Sequence, residues 1–479
     1  MPAFIKRHIA KAIQDNLTKY PSITLQGPRQ CGKTTLLKEL FPDFSYADLD
    51  DPNTRELARS DPYEFFKQYP EPVILDEIQR CPSLLSLVKV RIDQRHECGQ
   101  YIITGSVQLK LRSSVTESLA GRTALLTMYP LSLSELKEAG IILSRDTQLL
   151  YGFLPVLYSR EGLPPYDYYV NYLQTYVERD ISSGTQVRDR AAFENFLQIT
   201  AGRIGQLADY TSIANDTGVS STTVKHWLSL LEASYVIYRL PSWQKSRVSR
   251  ALKAPKLYFA DTGLAAALLG LRTPGQLVRD PLRGKLFENL AVLEAVKTKT
   301  SRMESTPFYF FRNSRGQEID LVQEEPSSLR LFEIKSSERL DPAFVKPMDR
   351  FESSNGRPVE SKNIIYAGEN GSLAGARLTN FHDIDTLFPE EEKFILNGVS
   401  SGTEQSDAER ILAEVVIMAD HQRAHALGYA AGTACASSPL IKGAIISFEE
   451  HSDHCDSVWA DEIHSPKGAL PQSCDASVK

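Results

Sequence analysis

Ser22-Ile23-Thr24-Leu25-Gln26-Gly27-Pro28-Arg29-Gln30-Cys31-Gly32-Lys33-Thr34-Thr35 is the stretch whose reading decides the fold. Ser22–Gln26 reads as a short strand, and Leu36, Leu37 and Leu40 follow at helical spacing. Between strand and helix stands G-x-x-x-x-G-K-[ST], in the context its chemistry requires. Gly27 and Gly32 let backbone N–H groups curl around phosphate oxygens. The following helix adds the positive end of its dipole. Lys33 is placed to reach β- and γ-phosphates, and the Thr34 hydroxyl to ligate Mg²⁺. Gly27, Pro28, Arg29, Gln30, Cys31, Gly32, Lys33, Thr34 and Thr35 are therefore the expected cradle of a nucleoside triphosphate.

Two further strands extend this reading. Val73-Ile74-Leu75-Asp76-Glu77 is short, apolar and ends in two carboxylates, as a buried parallel strand would. Asp76 at the strand tip can hold Mg²⁺, and Glu77 can polarise the attacking water. Gln100–Thr104 is a third strand, and a polar group at its C-terminal end would face the γ-phosphate. Thr104 and Ser106 are the candidates, with plain turn chemistry as the competing account. Arg122, in Leu119-Ala120-Gly121-Arg122-Thr123, either stabilises γ-phosphate charge, in cis or from a neighbouring subunit, or makes a structural ion pair.

GPRQCGKTT, VILDEIQ, YIITGS and ESLAGRTALLTMYPLSLSEL together resemble the prokaryotic AAA-superfamily ATPases whose C-terminal half is a domain of unknown function. The resemblance covers about residues 1–390. It implies ATP as the nucleotide, Mg²⁺ as its metal and a cytoplasmic setting.

The chain has 479 residues, 42% hydrophobic and 24% charged, as an average soluble globular protein has. Length alone suggests about three domains. No apolar run reaches the roughly 18 residues of a membrane span, and the first residues lack the compact apolar core of a secretory signal. No membrane role is expected. Net charge is −6, which for the whole chain argues against a protein that coats nucleic acid. Residues 401–479, however, carry 5 basic and 12 acidic residues, leaving 49 and 48 in the rest. The acidity belongs to the tail. Cys31, Cys81 and Cys98 are scattered without a disulfide pattern, which suits a reducing compartment.

The middle reads as a helical connector, including a helix near Tyr166–Asp180, and then a helix–turn–helix. Ala214, a turn at Gly218, a Ser220 cap and inward-facing Val224, Trp227 and Leu228 set its geometry. The second helix offers Thr222, Lys225, His226 and Ser229 outward. Residues 240–260 hold five basic residues and no acid, the composition of a wing that contacts phosphates. DNA is the candidate partner, and packing against protein is the alternative.

Residues 284–296 form a helix apolar nearly all round, with Glu288 among its apolar neighbours. A carboxylate there is costly unless paired or bound to metal. Strand-like runs Phe308–Arg312, Glu318–Gln323 and Leu329–Lys335, a helical stretch near 342–351 and a strand at Asn363–Ala367 follow. This order resembles the restriction-endonuclease-like fold, whose motif is an acid and then acid-x-Lys on the next strand. Asp320 and Glu333-Ile334-Lys335 stand in those places. The resemblance implies that Asp320, Glu333 and Glu288 bind a second divalent ion, and that Lys335 orients or deprotonates the attacking water. A degenerate core kept for DNA binding or as scaffold is the alternative.

The expected fold class is α/β. A P-loop sheet of AAA type (1–150) is followed by a helical and winged-helix segment (151–270) and a restriction-endonuclease-like domain (271–395). Residues 396–479 form an unmatched tail, read as poorly ordered. Its His451-x-x-His454-Cys455, with Asp453 and Asp456, has zinc-ligand types but no paired cysteines. Two functions follow. One is an ATPase coupled to a DNA-binding, DNA-cleaving half, with a homo-oligomer as the form that would supply Arg122 in trans. The other is a nucleotide-dependent regulatory scaffold with a silent Asp320 site.

Overall fold

The computed structural model describes residues 4–105, 118–176, 189–246, 249–250 and 253–391. Contacts divide the chain into a unit of residues 1–391 and a second of 392–479, which lies outside the described residues together with the tail's histidines and cysteines.

The N-terminal sheet is built from β1 (Ser22–Gln26), β2 (Ser45–Asp48), β3 (Val73–Asp76), β4 (Tyr101–Gly105) and β5 (Thr123–Thr127), in the order β2-β3-β4-β1-β5. Every pairing is parallel. Such a sheet needs helices on both faces, so its central strands are buried throughout. Ile23, Leu25, Ile74 and Ile102 face α1 (Ile9–Leu17) and α2 (Lys33–Leu40). Val73, Leu75, Tyr101 and Ile103 face the other layer, where Leu84, Leu85 and Val88 lie on the helix Leu84–Arg95. Each such side chain contributes about 1.5–3 kcal/mol by leaving water. This is the P-loop ATPase fold expected from β1 and β3. Strand β4 lies between them and brings Thr104 to the gap between loop and acids.

The N-terminal ends of β3 and β4, opposite the phosphate loop, are fastened by Glu71. Its carboxylate accepts from Arg91 Nε at 2.5 Å and Nη2 at 2.9 Å, and from Tyr101 Oη at 2.5 Å. Burial pushes the Glu71 carboxyl up, but the Arg91 and Tyr101 bonds outweigh it and hold the group at about 2. A depressed carboxyl stabilises the fold above its unfolded pKa of about 4.3. That stability drains away as pH falls toward 2. Glu71→Gln should cost about 1.5–3 kcal/mol at neutral pH. It should also flatten the acid limb of a urea-unfolding pH profile, and an unchanged limb would refute the assignment.

The helical segment runs through Leu133–Glu138, Arg145–Tyr151, Pro155–Ser159 and Pro165–Tyr176. The next elements are helix Arg190–Gly202, helix Tyr210–Thr217, helix Ser221–Ala233, and the antiparallel ribbon β6 (Ile237–Leu240) and β7 (Lys256–Phe259). An antiparallel bridge joins Leu207 to Lys256 beside this ribbon. Gly218 takes φ 73, a left-handed turn that a side chain would disfavour. Ser220 Oγ caps the following helix by accepting from Thr223 N at 3.0 Å.

A six-stranded mixed sheet closes the unit: β8 (Phe308–Arg312), β9 (Glu318–Glu324), β10 (Leu329–Lys335), β11 (Val359–Tyr366), β12 (Gly371–Leu373) and β13 (Ala376–Asn380), in the order β12-β13-β11-β10-β9-β8. The helices Arg283–Ser301 and Lys346–Asn355 flank it. Strands β8 to β10 stand where the sequence places them, β11 begins at Val359 and not at the expected Asn363, and β12 and β13 were not anticipated. The boundaries read at 150 and 270 are not breaks in packing. One hydrophobic cluster runs from Leu131 through Trp227 and Leu290 to Phe388.

Candidate functional site

The loop after β1 closes on itself. Lys33 Nζ donates to the carbonyls of Gly27 (3.0 Å) and Pro28 (2.9 Å), which holds the lysine over the cradle. Gly27 has a second reason to be glycine, because a Cβ there would stand 2.0 Å from the Met128 carbonyl oxygen. Gln30 and Glu77 both adopt left-handed φ, 58 and 55, a strain that side chains bear mainly at functional sites.

Asp76 is the hub. It is 4% exposed, and its Oδ2 accepts from Thr34 Oγ1 and Tyr46 Oη, each at 2.7 Å. Its Oδ1 accepts from Thr104 Oγ1, and Thr104 Oγ1 in turn accepts from Glu77 N at 3.4 Å. Burial and the Asp76 charge hold the Tyr46 phenol well above its ordinary range. Glu77 accepts from Gln79 Nε2. The oxygens of Thr34 and Asp76 thus meet at one point, and a hydroxyl beside a buried carboxylate is the hard donor set that suits Mg²⁺. Thr104 stands near the C-terminal end of β4, bonded to Asp76; Ser106 lies outside the described residues.

A cavity of 820 Å³ opens beside the loop. Arg29, Gln30, Gly32, Lys33, Thr34, Thr35 and Glu77 line one side, Phe4, Ile5 and Arg7 a second, and Pro155, Val156, Tyr158, Ser159, Tyr172 and Thr175 a third. The third wall comes from the helical segment, outside the P-loop sheet.

Arg7 ties these walls together. Its Nη1 donates to Cys31 O (2.8 Å), its Nη2 to Tyr129 O (2.6 Å) and its Nε to Glu135 Oε2 (3.1 Å). Glu135 also accepts from Ser132 N (2.9 Å) and His8 N (2.8 Å). One residue further, Leu133 N donates to Glu294 Oε2 at 2.7 Å. Lys297 bridges Glu294 and Leu131 O, each at 2.8 Å. The chain of contacts runs from the phosphate loop to the long helix Arg283–Ser301.

Arg122 corrects one expectation. It flanks the N-terminal end of β5, since Thr123 pairs with Ser22 and Gln26 leads into the loop. That places it about 15 Å along the strand from the cradle. It is used in a bidentate pair with Asp93, at 2.5 and 3.0 Å. The structural ion pair is the role this structure gives it, and no in-cis contact with a γ-phosphate is open to it.

The basic stretch of residues 245–256 is divided in its roles. Of its five basic residues, Arg250 is bidentate on Glu324 and Lys256 is 1% exposed, while Arg247 lies outside the described residues. The wing strand docks on the sheet, with Trp243 N donating to Phe310 O (2.6 Å) and Phe310 N to Pro241 O (3.0 Å). Residues 241–243 run along the β8 edge, while Lys245 and Lys253 stay exposed. The second helix of the helix–turn–helix keeps Thr222, Lys225, His226 and Ser229 exposed, as expected.

The structure brings the acids of the C-terminal sheet together, but with company. Oxygens of Glu288, Glu318 and Asp320 lie within 4.8 Å of one another. Glu288 also accepts from Lys256 (2.7 Å), Lys285 (2.6 Å) and Tyr258 Oη (2.6 Å). Burial raises the Glu288 carboxyl, yet the two lysines outweigh it and hold it low. Burial, then the Glu288 charge, raises Asp320. Burial, then the Asp320 charge, pushes Glu333 up to about 8. Lys335 Nζ is 2.5 Å from Glu333 and 3.5 Å from Asp320. The acid-x-Lys motif is assembled, but Lys256 stands among its carboxylates. Of the residues expected to hold a second divalent ion, Glu288 and Asp320 converge with Glu318, and Glu333 is not among the converging three.

Arg7, Tyr46, Glu135, Lys256, Glu294 and Lys297 were not singled out from the sequence as site residues. The conspicuous signal was the SLSEL stretch, whose Ser132 and Glu135 form a capping box.

Residues 19–137 match the family described as AAA domain, and the fold of that segment agrees. Residues 143–275 and 283–383 match two domains of unknown function, DUF8612 and DUF4143. Two mycobacterial relatives, the uncharacterized proteins Rv2008c of Mycobacterium tuberculosis and Mb2031c of Mycobacterium bovis, are 28% identical over 69% of this chain and 74% of theirs. Among solved structures, the Walker-type ATPase PABY2304 of Pyrococcus abyssi is 16% identical, covering 55% of this chain and 96% of that one, with a TM-score of 0.35. AMPPCP-bound DnaA from Aquifex aeolicus is 15% identical over 47% and 85%, with a TM-score of 0.25. Among the described residues no helix is long and apolar enough to cross a membrane.

Proposed function

We propose that this AAA-type chain binds ATP with Mg²⁺, hydrolyses it, and uses the nucleotide to set the posture of a DNA-contacting C-terminal half. One observation carries the reading. The cavity at the phosphate loop is walled on one side by Lys33 and Thr34 and on another by Tyr158 and Tyr172 of the helical segment. A nucleotide seated there touches both, so its binding energy can be spent on their mutual position.

Each residue then has a task. Lys33 exchanges the Gly27 and Pro28 carbonyls for phosphate oxygens. Thr34 and Asp76 would hold Mg²⁺, which neutralises phosphate charge when bound. Glu77 orients the attacking water and accepts its proton. Thr104, bonded to both Asp76 and the Glu77 backbone, reports a change at either. Arg7 passes a shift of the loop at Cys31 to Glu135 and so toward Glu294.

DNA contact is assigned to the exposed face of helix Ser221–Ala233, with Lys225 and His226 as the phosphate-facing groups. The docked wing is left out of it. The nuclease-like core serves as scaffold, because Lys256 fills its acid cluster.

The test is the ATPase rate with and without duplex DNA. Stimulation of about 5-fold or more is expected, the usual size of a coupling between two sites. Lys225→Glu should reduce that stimulation. A rate indifferent to DNA at every salt concentration would remove DNA from the proposal and favour a protein-regulating scaffold.

A further inference from the structure

The acidic cluster of the C-terminal sheet holds a cation already, and it is one of the chain's own side chains. Lys256 Nζ lies 2.7 Å from Glu288 Oε1 and 2.6 Å from Glu318 Oε1. These are two of the three carboxylates whose oxygens converge. The lysine is 1% exposed, and its ammonium also lies 5.4 Å from the centre of the Phe310 ring. A divalent ion bound to the same oxygens, at the usual 2.0–2.6 Å, would overlap that ammonium. Lys285 sits 2.6 Å from the other Glu288 oxygen, and Lys335 2.5 Å from Glu333. The charge of the acids is therefore largely met from within. Glu333 Oε2, on a side chain 5% exposed, is the buried carboxylate oxygen in this group that still lacks a hydrogen bond.

We infer that this cluster is a cation site whose resident cation is the Lys256 ammonium, and that a divalent metal enters only when that ammonium is withdrawn. The geometry makes the ammonium a clasp. Lys256 opens β7 of the wing, Glu288 lies on the helix Arg283–Ser301, and Glu318 opens β9. The pairs therefore fasten the winged helix to the sheet. A cation supplied by one segment to the acids of another holds them together only while it stays. The inference rests on the reading of this half as a nuclease-like scaffold, and it is tested by metal binding, which does not depend on cleavage.

Mn²⁺ is titrated into the nucleotide-free full chain and followed by equilibrium dialysis. The forms compared are wild type, Asp320→Asn, Lys256→Met and Lys256→Met with Asp320→Asn. Lys256→Met should gain one Mn²⁺ per chain, bound at least about tenfold more tightly than anything wild type gains at that place. Adding Asp320→Asn should abolish the gain. Wild-type uptake that drops by one ion in Asp320→Asn would overturn the inference. So would a folded Lys256→Met chain that gains no ion. If Lys256→Met does not fold alone, its melting is followed with and without Mn²⁺. Recovery of a cooperative transition by Mn²⁺ supports the stand-in role, and no recovery overturns it. DNA cleavage by the same proteins is scored separately: a gained ion without cleavage keeps the clasp and confirms only that the core is a scaffold.

Discussion

Lys33→Ala should lower ATP hydrolysis by about 10²–10³-fold, the cost of removing one preorganised donor from a charge-stabilising site. The structure supplies the reason. Lys33 is 7% exposed, and its ammonium is held by the Gly27 and Pro28 carbonyls directly over the loop. Binding of a fluorescent ATP analogue should weaken in parallel. Glu77→Gln provides the contrast: binding is kept while hydrolysis falls by about 10²–10⁴-fold, the contribution of a positioned base. A Lys33→Ala protein that hydrolyses ATP at the wild-type rate would place the reaction elsewhere in the chain.

Arg7→Met should destabilise the protein by about 3–5 kcal/mol, measured by urea unfolding. The side chains of Arg7 and Glu135 are only 6% and 5% exposed, so water does not replace the lost partner. The substitution also orphans the carbonyls of Cys31 and Tyr129. Nucleotide affinity should fall with stability, because Cys31 belongs to the phosphate loop. Arg7→Lys should fall between the two, since an ammonium keeps the charge but not the three-way fork. A loss below about 1 kcal/mol would mean that the pair behaves as a solvent-screened surface pair. The proposed relay to Glu294 would then lose its first link.

Much of this was legible in the order of residues. The loop Gly27–Thr35, the acids after β3 and the polar end of β4 each obey short spacings imposed by a strand, a turn or a helix. Ser220 and Gly218 are local in the same sense. So are Glu333 and Lys335, which alternation puts on one strand face. Gly27 shows the limit: its spacing is readable, but the Met128 carbonyl that forbids a side chain comes from 101 residues away.

The sequence by itself determined the phosphate loop with its flanking strand and helix, several later strands and the chemistry carried at their ends, because those depend on neighbours within a few residues. Tertiary structure decided which charges meet. It turned Arg122 away from the phosphates and onto Asp93, docked residues 241–243 on β8, joined Arg7 to a glutamate 128 positions on, and set Lys256 of β7 among acids converging from the helix Arg283–Ser301 and from β9. Buried charges must find partners wherever packing brings them, and no pattern along the chain records that choice.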